Sequence, residues 1–287
     1  MSTLHPQDEN TYFIDVESGS ETARLLHQDR LITRHMGGIF PERLDLSNAH
    51  DVLDIGCGPG GWVLDVAYAY PETKVVGIDI SRTMIQYARA MARVQLLDNA
   101  SFEVMDATKP LDLPDNSFEF VNARFIFAFM PADAWPKLMQ ECARITRPGG
   151  IIRFTEFDMY GVTNSPAFEK FTEWGSRAFK LAGQSFSPDG RGVGLTPMLG
   201  RFLRDGGCIN IEQAAHVIDF SAGTEEHEAM YQNSMVVFKL MQPFLLKTRV
   251  ATQEEMDQVY EQMLAEMLSD GFCGIWLYLS AWGQKPA

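Results

Sequence analysis

The chain has 287 residues, 46% hydrophobic and 22% charged, enough for a full core in one large domain with insertions or in a domain with a small lid. Its formal net charge of −14 argues against a broad phosphate-binding face, since nucleic-acid affinity comes largely from Lys and Arg on phosphates, and favours a small-molecule substrate. Cys57, Cys142, Cys208 and Cys273 show no zinc-like or Cys-x-x-Cys spacing and read as reduced packing residues. The polar N-terminus and the lack of a membrane-length apolar run predict a soluble, cytoplasmic protein.

Residues 1–17 read as a loose polar arm. Ser18 and Glu21 have capping-box spacing, which predicts a helix over 20–36 ended by Gly37-Gly38, with Leu25, Leu26, Leu31, Ile32 and Met36 as a partial apolar stripe. From Asp51 strands and helices alternate: strand 51–55, helix 60–69, strand 74–79, helix 82–93 behind the N-cap Ser81, strand 101–106, strand 118–123, helix 133–145 and strand 151–157. Such alternation implies a parallel sheet covered on both faces, with ligands beyond the carboxyl ends of its strands. The second half predicts a helix over 165–181, a Gly-rich loop at 187–194, a helix over 197–205 and a strand over 209–220. Two helices, 225–247 and 253–269, and a last strand, 272–282, complete it. Thr252 and Glu255 make a capping box for the second of those helices, and Met256, Met263 and Met267 lie on its apolar stripe.

The expected fold is therefore α/β, a doubly wound, mostly parallel seven-stranded sheet. Residues 1–45 would form an N-terminal helical arm, 46–223 with 271–287 the core including a cap segment at 158–193, and 224–270 a helical lid.

The segment Asp51 to Trp62 runs from an apolar strand into closely spaced glycines and a helix start, a turn suited to a nucleotide-like cofactor. Gly56, Gly58 and Gly61 alone also satisfy the dinucleotide fingerprint of dehydrogenases. Asp54, just before the first glycine, would repel a pyrophosphate but suit a positively charged ligand. Asp79, at the end of the next apolar run, can accept bonds from ribose hydroxyls with either kind of cofactor.

With Asp54-Ile55-Gly56-Cys57-Gly58-Pro59-Gly60, Gly77-Ile78-Asp79-Ile80-Ser81, Met105-Asp106-Ala107, the strand from Phe118 to Arg124 and Arg147-Pro148-Gly149-Gly150 in this order, the chain resembles class I S-adenosylmethionine-dependent methyltransferases, small-molecule type, from its N-terminal helix to its last strand. The resemblance implies that Asp54, Gly56, Cys57, Gly58 and Gly60 hold the methionine part of S-adenosyl-L-methionine. Asp79 would bind the ribose, Ile80 and Met84 would lie by the adenine, Asp106 and Ala107 would meet its amino group, and Ala123 would stand near the transferable methyl. Small-molecule relatives cover the cofactor with an N-terminal helix and a tyrosine, which implies roles for Tyr12, Gln28 and Met36. The cofactor carries a sulfonium and an ammonium but no phosphate, so carboxylates at Asp54, Asp79 and Asp106 are favourable.

Methyl transfer from a sulfonium is a direct displacement, for which the protein aligns the nucleophile and excludes water. Candidate catalytic residues are Glu156, as a base or a carboxylate steadying positive charge, Arg124 after the fourth strand, and His35 at the end of the first helix. The bland alternatives are a salt bridge between Glu156 and Arg124 and a helix-terminal role for His35. Asp158 is a further candidate, and His216, within a strand, reads as structural. Phe125, Tyr160 and Trp174 are the candidate substrate contacts among many aromatics after the fourth strand, of which about a third would line a pocket. The expected activity is methylation of carbon or oxygen in an apolar or aromatic metabolite, with S-adenosyl-L-homocysteine as product and no metal. The alternatives are use of the sulfonium only as a charge that promotes cyclisation or rearrangement, and a non-catalytic binding or regulatory protein. Neither nucleic acid nor membrane is expected as a partner, and exchange of arm or lid between subunits leaves a homo-oligomer open.

Overall fold

Asp51–Ile55 (β1) buries Val52, Leu53 and Ile55 completely and pairs in parallel with Lys74–Asp79 (β2) on one side and Phe118–Arg124 (β4) on the other. A strand covered on both faces needs a continuous apolar run, and that places this one at the centre. The computed structural model describes residues 12–14, 18–40 and 49–287. Ala100–Val104 (β3) lies beyond β2 and Thr146–Glu156 (β5) beyond β4, so the parallel part of the sheet runs β3-β2-β1-β4-β5. Helices Gly61–Ala69 (α2), Arg82–Val94 (α3) and Trp135–Ile145 (α4) supply crossovers. The sheet then turns antiparallel. Gly274–Gln284 (β8) pairs with β5, and Ile209–Asp219 (β7) pairs with β8. Val162–Thr163 (β6) adds an eighth strand to the expected seven by pairing with the start of β8. Two residues carry no readable period, which is why this strand escapes sequence analysis.

Gly19–Met36 (α1) forms where expected, but not through a capping box. Ser18 makes no side-chain cap, and the Glu21 carboxylate turns inward to the Arg24 guanidinium, fully buried. An ion pair out of water leaves no carboxylate for the backbone amide. Thr252 and Glu255, both on the surface, do form the reciprocal box, starting Gln253–Met267 (α8).

Part of the expected loose arm is packed: Phe13 and Ile14 are buried, and Phe13 meets Phe179 edge-on at 5.2 Å. The rest of the arm, 1–11 and 15–17, lies outside the described residues, as does 41–48.

Pro166–Leu181 (α5), His227–Lys247 (α7) and α8 pack on one another through Phe171, Phe238 and Tyr260, and α7 also meets α1. Met256, Met263 and Met267 are fully buried in that helical layer. Leu199–Asp205 (α6) packs on α4, where Phe202 stacks on Trp135 at 5.5 Å. All four cysteines are free. Cys57, Cys142 and Cys208 are buried, whereas Cys273, in the turn before β8, is exposed. No helix among the described residues is long and apolar enough to cross a membrane.

Candidate active site

The carboxyl ends of β1 and β2, the segment after β3 and the exit of β4 open on one cavity, roofed by α1. Gly56 and Gly58 adopt φ of +69° and +53° in the turn after β1, a conformation that other residues take only under strain. A Cβ on Gly56 would also lie 3.0 Å from Ile126 and 3.1 Å from the Phe129 ring. Gly60 serves packing instead: a Cβ there would strike the Phe102 ring at 2.7 Å and Ala88 at 2.8 Å, and the residue does not line the cavity.

Asp79 holds the turn together, accepting from the Gly58 amide at 2.9 Å and the Ser81 amide at 2.8 Å. Desolvation still leaves its pKa above the usual carboxylate value. Asp54 is 4% exposed and accepts from Asn122 Nδ2 at 2.7 Å. Burial pushes its pKa up to about 7, opposed by Arg124, Asn122 and Arg153 and assisted by Asp29. Asn122 in turn accepts from Arg153 Nε at 2.9 Å, so a buried Asp54–Asn122–Arg153 chain crosses three strands beneath the cavity. Arg153 is fully buried, its guanidinium carbon 5.2–5.6 Å from the Phe120, Phe40 and Trp62 ring centres. For Asp106 desolvation acts upward, but hydrogen bonds from the Thr108 hydroxyl at 2.6 Å and amide at 2.9 Å, with Lys109 at 3.1 Å, bring the net pKa below the ordinary value.

Arg124, Asp54, Asp79, Asp106, Gly56, Cys57, Gly58, Ile80, Met84, Ala107, Tyr12, Gln28, Phe125 and Tyr160 all line this cavity. The structure does not bring the other sequence candidates there. Ala123 is buried within β4, between Ile55 and Phe154 on the neighbouring strands, and Met36 belongs to the main core. His35 Nε2 stands 2.9 Å from Glu226 Oε1 at the end of α1, which ties that helix to the segment before α7. Trp174 packs edge-on against Phe171 at 5.5 Å, inside the helical layer.

Glu156 is fully buried behind the β4 exit, where its Oε1 accepts from the Ile126 amide at 2.8 Å; desolvation holds its pKa well above the ordinary value. It does not pair with Arg124, whose guanidinium bonds Asp29 and, at 3.0 Å, Thr33 Oγ1 of α1. Asp158 accepts from the Leu195 amide at 2.6 Å and organises a loop, while His216 stacks on Tyr278 at 5.0 Å and meets Ser280 Oγ at 3.2 Å.

Two charged residues of α1, Arg24 and Asp29, escaped the sequence reading, and a third, Glu21, was read only as a helix-start residue. Asp29 and Arg24 line the cavity, and the buried Glu21 joins Arg24 to the Tyr12 hydroxyl at 2.7 Å. Their signal was present as polar residues at helical spacing, Glu21, Arg24 and Gln28, on a helix whose apolar stripe is incomplete. Beyond them Phe125, Phe127, Phe129, Phe157 and Tyr160 give the cavity an aromatic end.

Residues 52–150 match the family model described as "Methyltransferase domain". Over 129 residues, 45% of this chain and 25% of the relative, the sequence is 35% identical to phosphoethanolamine N-methyltransferase 3 of Arabidopsis thaliana. It is also 35% identical over 130 residues, 44% of each chain, to methyltransferase GfsG of Streptomyces halstedii. The chain thus spans less than half the length of either curated relative. Among solved structures, a chain from the complex of the Haloferax volcanii Trm112 methyltransferase activator with a methyltransferase superposes with a TM-score of 0.57 at 19% identity, covering 96% of this chain and 99% of that one, a likeness of fold. Residues 52–150 thus carry a methyltransferase domain.

Proposed function

We propose, from that domain and its cavity, that the protein transfers the methyl of S-adenosylmethionine to carbon or oxygen of an apolar or aromatic small molecule. One observation carries the reading: a cradle lined by Asp54, Asp79 and Asp106 opens directly onto the aromatic wall of Phe125, Phe127, Phe157 and Tyr160. The donor set fits the cofactor, because its carboxylates suit an ammonium and a sulfonium, and the two cations beside them, Arg124 and Lys109, are already paired with Asp29 and Asp106.

Asp54 would receive the amino-acid end, Asp79 the ribose hydroxyls and Asp106 the adenine amine, with Ile80, Met84 and Ala107 as apolar walls. When bound, the cofactor supplies an electrophilic methyl. The chain's own contribution is then to orient a nucleophile against Phe125 and to keep water out beneath α1. Glu156 lies buried behind the β4 exit and accepts from the Ile126 amide, so in this reading it is a positioning residue. Helix α1 covers the cofactor, with Arg24, Gln28, Asp29 and Ile32 on the cavity wall.

Calorimetric titration with S-adenosylmethionine and S-adenosylhomocysteine tests the reading. Saturable binding is expected for the natural chain, weakened at least about tenfold in Asp79→Ala, since two backbone amides and the ribose lose their acceptor. Screening apolar metabolites for the mass gain of one methyl follows. Absence of binding to either nucleoside would overturn it.

A further inference from the structure

The substrate end holds polar groups as well as aromatic ones, and their charges cancel. Arg24 donates through Nε and Nη2 to both oxygens of Glu21, at 2.7 and 2.6 Å, and through Nη1 to Gln28 Oε1 at 2.6 Å and Asn233 Oδ1 at 3.1 Å. Four of its five N–H groups therefore already have acceptors. Tyr12 donates to the same Glu21 carboxylate. Glu21, Arg24 and Gln28 are at least nine-tenths buried. The only other lysine or arginine lining the cavity among the described residues, Arg124, is spent on Asp29.

Two groups remain. Gln28 accepts from Arg24 through Oε1, but its Nε2 donates to no described residue. The Tyr160 ring is wedged between Phe157 at 5.1 Å and Phe238 at 5.7 Å, and its hydroxyl bonds no described residue. Both residues line the cavity, close to Arg24 and Glu21. A charged headgroup brought here would be stripped of water and meet a guanidinium whose charge Glu21 has already taken, so its desolvation would go uncompensated. A neutral oxygen loses far less and finds the Gln28 amide and the Tyr160 hydroxyl.

We infer, resting on the reading above, that the substrate is an uncharged, flat aromatic or quinonoid molecule whose hydroxyl or carbonyl oxygen is held by Gln28 and Tyr160. The Arg24–Glu21 pair then acts as a charge filter against phosphorylated or carboxylated compounds.

The test uses protein saturated with S-adenosylhomocysteine and two probes sharing one ring system, 1-naphthol and 1-naphthyl phosphate, titrated at neutral pH. Saturation by the nucleoside, measured first, isolates a failure of the cofactor reading from a failure of this one. Expected are saturable binding of 1-naphthol and binding of the phosphate at least about tenfold weaker. Equal or tighter binding of the phosphate, or no saturable binding of 1-naphthol to the loaded protein, would overturn the inference. In Glu21→Gln the Arg24 charge is uncovered, so the preference should narrow or reverse; unchanged discrimination by the folded variant would reject the filter. If that variant does not fold, Tyr160→Phe decides. It should lose several-fold in 1-naphthol affinity with nucleoside affinity retained, and unchanged 1-naphthol affinity would reject the anchor.

Discussion

Asp54 sits between two opposing demands, since burial favours its protonated form while a cationic ligand needs its charge. Arg124 on β4, Asn122 and Arg153 reached through β4 and β5, and Asp29 on α1 face it, and the balance leaves its pKa at about 7. Cofactor affinity should therefore tighten as pH rises, about tenfold between pH 6 and 8, and Asp54→Asn should bind weakly with a flat profile; titration at several pH values checks this. The same shift runs the other way for stability. The folded state holds the proton more tightly than the unfolded chain, so the contribution is full below about pH 4 and is lost as pH climbs through about 7. Glu156 provides a contrast, its pKa held well above the ordinary value by burial while its Oε1 accepts from the Ile126 amide. Glu156→Gln should keep turnover and stability near the natural values, while Glu156→Ala should cost about 1–3 kcal/mol in denaturant unfolding by orphaning that amide. Loss of turnover in the glutamine variant, with nucleoside binding intact, would make Glu156 a catalytic base after all.

At the scale of elements, α1 is the part whose attachment is most specific. It buries Leu31, Ile32 and Met36 in the core, and Arg124 grips Asp29 and Thr33 from the β4 exit. At its end Arg34 and His35 reach Glu226, and near its start Arg24 reaches Asn233 of α7. Exposed ion pairs contribute little, so the Arg34 contacts matter less than the nearly buried Arg124–Asp29 pair. Arg124→Met should leave Asp29 unpaired in the cavity wall, loosening α1 and lowering nucleoside affinity about tenfold, with faster amide exchange confined to residues 19–36. Unchanged exchange there would show that apolar packing alone holds the helix. Gly37 and Gly38, with φ of +90° and +127°, end α1 in a left-handed cap, and the buried stripe makes the helix a fixed wall more than a loose flap.

For the whole molecule, the cavity lies between α1 and the carboxyl ends of the parallel strands, so a ligand there couples parts of the chain far apart in sequence. S-adenosylhomocysteine at about 100 times its dissociation constant should add about 2.7 kcal/mol, visible as a melting-temperature rise of a few degrees in scanning fluorimetry. No rise alongside calorimetric binding would mean that the site forms apart from the cooperative core.

The alternation of strands and helices from 51 to 157, the turn at Gly56 and Gly58, and the carboxylates Asp54, Asp79 and Asp106 were legible from residue pattern alone, because each depends on local periodicity, on a special φ or on position at a strand end. The resemblance of the chain added their assignment to a cofactor. What pattern could not decide was which partner each side chain takes: Arg124 to Asp29 instead of Glu156, Glu21 to Arg24 instead of its own helix start, His35 to Glu226, and Trp174 into the helical layer instead of the cavity. Spacing places a charge on a helix face but says nothing of what stands opposite. The partner is chosen by burial, where an unpaired ion costs several kcal/mol, and burial exists only once the elements have packed.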